Sequence, residues 1–189
     1  MKTENKYNAI VIGSSSGGMD ALRKILSVLP KSFELPILIT QHVSPSSDNY
    51  ITQYLNKLCK LEVKEADEKE KIQVGKVYFA PPNFHLLVEK DKTLSLSTDS
   101  RVNFARPSID VMFETAAWAY GSSLIGIILT GANFDGSNGL KIIKDFGGLT
   151  IAQDPKTAHS PTMPEFAIAA TKVDHILPIN KIGEFLSEL

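Results

Sequence analysis

Three side chains in this sequence have the types and the placement to carry out acyl chemistry. Ser15 lies in the turn Gly13-Ser14-Ser15-Ser16-Gly17-Gly18, His42 follows the apolar run 36–40, and Asp135 lies in Thr130-Gly131-Ala132-Asn133-Phe134-Asp135-Gly136 after the apolar run 124–129. A serine hydroxyl is a poor nucleophile unless a base stands within hydrogen-bond reach. His42 can accept that proton near pH 7 and return it to a leaving group. Asp135 would hold the imidazole in one tautomer and stabilise its cation. The spacing Gly13-Ser14-Ser15-Ser16-Gly17 is that of Gly-x-Ser-x-Gly, a sharp strand-to-helix turn that exposes its central serine. A developing oxyanion would then use the amide of Ser16 and one from the Gly131-Ala132 loop.

Each piece also has a plainer reading. A Gly- and Ser-rich turn that opens a helix is the usual form of a phosphate cradle, so a phosphate- or nucleotide-binding domain is an alternative. The supporting signals for it are missing: there is no Gly-x-x-x-x-Gly-Lys-Ser/Thr, and Gln41-His42 stands where an acidic ribose partner would end the second strand. An Asp-Gly pair such as Asp135-Gly136 is commonly just a turn. A metal site has less support still, because His42, His85, His159 and His175 are widely separated and form no His-Glu-x-x-His pattern. Gln41 either orients the site or ends its strand. Trp118 is read as packing, and Cys59, which ends a helical stretch, as a small semi-buried hydrophobe.

The segments that position these residues alternate in period. Residues 8–12, 36–40 and 124–129 are short continuous apolar runs, the mark of strands buried on both faces. Leu22, Ile25, Leu26 and Leu29 recur at helical spacing before Pro30. The Ser46-Ser47-Asp48 cluster is expected to cap a helix with Ile51, Tyr54, Leu55 and Leu58 on one face. Ser108 is expected to cap another that ends at Gly121, and helices are expected at about 138–146, at 165–171 and after a cap at Asn180. Residues 61–66, 76–80, 85–89 and 93–97 alternate in part, and Asp91-Lys92 sits where a hairpin would turn. All four are read as an antiparallel insertion at one end of the sheet. The order implies an α/β fold: a doubly wound, mostly parallel sheet flanked by helices, with a short antiparallel hairpin insertion, in one domain spanning 1–189. In such sheets ligands bind beyond the carboxyl ends of the strands, where Ser15, His42 and Asp135 all fall.

Composition sets the outer bounds. The chain has 189 residues, 43% hydrophobic and 22% charged, and a net charge of −1. The balance gives no basic footprint for nucleic acid or anionic lipid. The single cysteine excludes an intramolecular disulfide. No apolar stretch approaches a membrane span and no signal-peptide core follows the first residues, so a cytoplasmic location is expected.

The ordered blocks Ile12 to Gly18, Ile39-Thr40-Gln41-His42, Val77 to Pro81, Arg106-Pro107-Ser108-Ile109-Asp110-Val111-Met112-Phe113, Ile128-Leu129-Thr130-Gly131 with Asp135-Gly136, Ile151-Ala152-Gln153-Asp154 and Met163-Pro164 resemble the catalytic domain of the bacterial chemotaxis protein-glutamate methylesterases. The resemblance covers nearly the whole chain. It implies a nucleophile at Ser15, a base at His42 and a third triad member at Asp135. It also implies hydrolysis of glutamate methyl esters on chemoreceptor signalling helices with release of methanol, deamidation of certain receptor glutamines, and no metal or organic cofactor. The expected partner is the methylated cytoplasmic domain of a chemoreceptor, with a methyltransferase or a separate receiver protein as further candidates, and neither nucleic acid nor membrane insertion. Arg106, in the Arg-Pro-Ser block, is a candidate contact to acidic receptor surface or a partner of a local carboxylate. There are two departures. Family members commonly read Thr-Gly-Met-Gly-x-Asp-Gly where this chain has Ala132-Asn133 in place of Met-Gly. They also carry an N-terminal phosphorylatable receiver domain, whereas only about seven residues precede the first strand here. A constitutive esterase, or one regulated by a separate partner, is therefore expected, with a catalytically impaired receptor-binding module as the alternative.

Overall fold

In a computed structural model that describes residues 6–189, the apolar runs become the centre of a seven-stranded sheet. Its strands are β1 (Ala9–Ser14), β2 (Ile37–Gln41), β3 (Glu62–Glu65), β4 (Lys76–Phe79), β7 (Leu124–Ile128), β8 (Leu149–Gln153) and β9 (His175–Leu177), in the order β3-β4-β2-β1-β7-β8-β9 and all parallel. The chain winds outward from β1 on one side, then returns to β7 on the other. The switch point of the fold therefore lies between β1 and β7.

Strands buried on both faces need apolar residues at every position, and β1, β2 and β7 supply them. Ile10, Ile12, Ile37, Ile39, Ile125 and Ile127 face a core completed by α1 (Gly18–Leu26), α2 (Tyr50–Leu58) and α6 (Ile179–Ser187). Ala9, Val11, Leu38, Leu124 and Ile128 face the opposite core, built with α3 (Ile109–Tyr120), α4 (Ser137–Asp145) and α5 (Thr162–Ala170). The hairpin β5 (His85–Val88) and β6 (Leu94–Ser97) pairs antiparallel and packs Leu86, Val88 and Leu94 into this second core.

The structure revises several local readings. Only β5 and β6 form the antiparallel insertion; β3 and β4 join the main sheet in parallel. Their partial alternation arises because β3 is an edge strand with Glu62 exposed and Val63 buried. Ser46 and Ser47 do not cap α2, whose first amide (Tyr50) donates to Asp48 Oδ1 at 3.1 Å. Asn180 lies inside α6, after Pro178. α5 starts at Thr162, with Pro164 in its first turn, where no amide is required. Trp118 is exposed, not packed. Cys59 is half-buried against the first core, and burial pushes its thiol up to about 11.

Gly13, near the end of β1, lets α3 approach: a Cβ there would lie 2.4 Å from Ile109 Cγ2. Gly13→Ala is expected to overpack this contact by about 1–3 kcal/mol. In a chain of this size the melting temperature should then fall by roughly 3–10 °C. A melt indistinguishable from that of the parent would show that α3 does not rest on this contact.

Candidate active site

Ser15, His42 and Asp135 converge beyond the carboxyl ends of β1, β2 and β7. Ser15 and His42 line a cleft of about 320 Å³ together with Asn103, Phe104, Asn133 and Phe134. Backbone bonds set the three loops against one another. The Ser15 amide donates to Thr130 O at 2.9 Å, and the His42 amide to Ser14 O at 3.0 Å. Gly17, at φ 80°, turns the chain from the serine into α1. Gly131 lets the loop after β7 pass beside the serine: a Cβ there would meet Met163 Sδ at 1.8 Å and Ser15 Cβ at 2.9 Å.

Asp135 is buried and accepts five hydrogen bonds. Its Oδ2 takes the ring N–H of His42 Nε2 at 2.8 Å and the Ile109 amide at 2.6 Å. Its Oδ1 takes Ser108 Oγ at 2.8 Å, Asn103 Nδ2 at 2.8 Å and the Asp110 amide at 3.3 Å. Ser108 thus caps α3 in position but not through its own oxygen; the carboxylate of Asp135 serves the first amides of that helix instead. The positive end of the helix dipole favours an anion there. Burial opposes the charge, but the bonds from His42, Asn103 and the Ile109 amide outweigh it and hold the carboxyl below the usual carboxylate range. An ionised carboxylate only accepts, so Nε2 of the neutral imidazole carries the hydrogen and Nδ1 presents the lone pair. The ring nitrogens are used in the opposite sense to a serine-protease triad, where the carboxylate meets Nδ1.

Gln41 is the second brace. Its Oε1 accepts from Ser14 Oγ at 2.7 Å, and its Nε2 donates to the carbonyls of Ser15 and His42, each at 2.9 Å. It ties the serine turn to the histidine rather than merely ending β2. Asn103 was not singled out from sequence; its amide bridges Asp135 Oδ1 and Asp110 Oδ2 at 2.8 and 2.7 Å. Burial, with the Asp135 charge adding to it, pushes the Asp110 carboxyl up, against bonds from Gly139 N and Asn103. Thr130 closes the far side, its amide donating to Gln153 Oε1 at 2.9 Å and its hydroxyl to Ser16 O at 2.8 Å.

The remaining candidates fall as follows. Ser16 and Ala132 are exposed, and among the described residues neither amide donates a hydrogen bond. Arg106 lines the cleft, but its guanidinium is spent on Asn83 Oδ1 and the carbonyls of Thr98 and Asp99, not on a carboxylate. It straps the loop ahead of α3. Ser15 Oγ makes no hydrogen bond to His42. Instead Nδ1 faces the side-chain amide nitrogen of Asn133 at 3.1 Å. Among the described residues no group of three or more His, Cys, Asp or Glu could hold a metal, and no helix is long and apolar enough to cross a membrane.

A seven-stranded parallel sheet whose switch point brings a serine, a histidine and a buried aspartate together defines a hydrolase-like α/β domain. The CheB methylesterase family profile matches residues 10–186, and the chain belongs to that family. A Leptospira interrogans protein is 56% identical over 97% of this chain and 95% of its own length. An Archaeoglobus fulgidus relative named protein-glutamate methylesterase/protein-glutamine glutaminase is 36% identical over 97% of this chain, which spans 53% of that protein. The crystal structure of the Thermotoga maritima CheB methylesterase catalytic domain is 37% identical and superimposes with a TM-score of 0.92, covering 96% of this chain and 98% of that one.

The Asn103 bridge has a pH signature. A carboxyl held below its ordinary value stabilises the fold above that value and loses the contribution as pH falls through the folded one. Asn103→Ala removes a donor from Asp135 and from Asp110, leaving both less favourably ionised at neutral pH. With charged-group hydrogen bonds worth about 1.5–3 kcal/mol each, the loss of two gives a deficit of roughly 3–6 kcal/mol near pH 7. The Asp110 share should be lost while pH is still above about 3.8 and the Asp135 share only as pH falls below it, leaving the pH-independent cost of an alanine at φ 50°. Urea unfolding across pH measures it, and a deficit independent of pH would show that Asn103 acts through packing alone.

Proposed function

We propose that the chain is a protein-glutamate methylesterase that acts as one catalytic unit through a Ser15–His42–Asp135 acyl-enzyme mechanism. The observation that carries this reading is the five-donor cradle of Asp135, which fixes His42 in the tautomer whose Nδ1 lone pair shares a cleft with Ser15. Nδ1 takes the Ser15 proton as Oγ attacks the ester carbonyl. The carbonyl oxygen becomes an oxyanion that accepts from the Ser16 and Ala132 amides. His42 then protonates the departing methoxide, and methanol leaves. Water, deprotonated by the same nitrogen, hydrolyses the acyl-enzyme to glutamate. A glutamine side chain entering the same path would release ammonia, which is the deamidase half of the relatives' name.

The substrate class follows from family membership: methylated glutamates on the cytoplasmic domain of a chemoreceptor, reached by a cytoplasmic enzyme, with a methyltransferase or a separate receiver protein as the other expected partners. The cleft is open to solvent and flanked by exposed Phe104 and Phe134, which suits a side chain presented on a protein surface. Arg106 contributes here by shaping the wall, since four of its five donors are already used.

Purified protein should release methanol from methylated receptor. Ser15→Ala and His42→Ala should each lower kcat by several powers of ten, on the order of 10³–10⁶, and the double variant should lose little more than either alone. Full activity in Ser15→Ala would remove Ser15 from the mechanism.

A further inference from the structure

We propose that Asn133 is a latch on the general base: its side-chain amide occupies the His42 lone pair and must swing away before Ser15 can be activated. This rests on the esterase reading above and adds a positioning residue to it. The orientation of Asn133 is fixed by its own hydrogen bonds. Its Oδ1 accepts the Asp135 amide at 3.1 Å, so its NH₂ group is the end that faces His42 Nδ1, also at 3.1 Å. Nε2 is already committed to Asp135. A neutral imidazole has one lone pair, and here an amide N–H holds it. The Ser15 hydroxyl correspondingly makes no hydrogen bond to His42.

The latch is light and accessible. Both of its bonds are neutral and at the long end of the normal range, so releasing the one to Nδ1 should slow activation of the serine by roughly tenfold rather than abolish it. Asn133 lines the same cleft as Ser15 and His42 and is followed by the exposed ring of Phe134. A side chain entering the cleft meets it directly. Substrate entry is therefore the event that turns Asn133 away, and it leaves Nδ1 free only when an ester is present.

Two variants separate the latch from a structural role. Asn133→Ser keeps an oxygen that can accept the Asp135 amide but is too short to reach the imidazole; Asn133→Gly removes both bonds. Labelling by a small fluorophosphonate, which cannot dock as a receptor does, should be about tenfold faster in both, with Asn133→Ser melting like the parent. On methylated receptor, kcat should change less than the labelling rate, because the substrate itself opens the latch. The ¹⁵N resonance of His42 Nδ1 should also move in Asn133→Ser while that of Nε2 stays. Equal or slower labelling by Asn133→Ser, with the parent reactive, overturns the latch and leaves the esterase. Labelling of neither protein removes the esterase reading and the latch with it.

Discussion

The site depends on one buried carboxylate that has to be satisfied. Burial opposes the charge of Asp135, and donors from three separate parts of the chain favour it: the His42 ring beyond β2, the Asn103 turn, and Ser108 with the first amides of α3. A buried charge that loses its partners is strongly destabilising. The loop after β7, the start of α3 and the turn at 102–105 are therefore held together by the same group that orients His42. Stability and the geometry of the cleft share that interaction, and the site cannot loosen without the fold loosening too.

The sheet brings the pieces within reach of that carboxylate. Because β1 is central and the chain leaves it first on one side and then on the other, β2 and β7 flank it. Their carboxyl-end loops are then the two closest to Ser15. Gln41 and Thr130 convert this proximity into fixed geometry, one bonding the carbonyls of Ser15 and His42 and the other the carbonyl of Ser16. The small residues at Gly13 and Gly131 are needed for the same reason, since α3 and the loop after β7 both pass too close for a Cβ.

The parts legible in the sequence are those whose signal is local. Continuous apolar runs mark strands covered on both faces, and a serine, a histidine and an aspartate at their ends mark a site whatever the intervening chain does. The edge strand was misassigned because one exposed face imitates the alternation of an antiparallel hairpin, as Glu62 and Val63 show. Asn103 and Ser108 could not be found in this way. Their partner lies about thirty residues further on, and neither residue has a type or spacing that announces carboxylate binding. Arg106 was read as a contact to acidic receptor surface or to a local carboxylate, yet its donors go to Asn83 Oδ1 and the carbonyls of Thr98 and Asp99, partners that carry no charge to match its own.

Both ring nitrogens of His42 are contacted from one three-residue segment, Nε2 by Asp135 and Nδ1 by Asn133. That segment cannot shift as a unit to free Nδ1. Moving it would draw Asp135 away from five donors, a far larger cost than one neutral amide bond. The less costly motion is rotation of the Asn133 side chain itself, which gives up neutral hydrogen bonds only, the one to Nδ1 and the one from the Asp135 amide. The asparagine at this position therefore leaves the contact between Asp135 and Nε2 intact. It adds a donor at the one ring nitrogen that Asp135 leaves open.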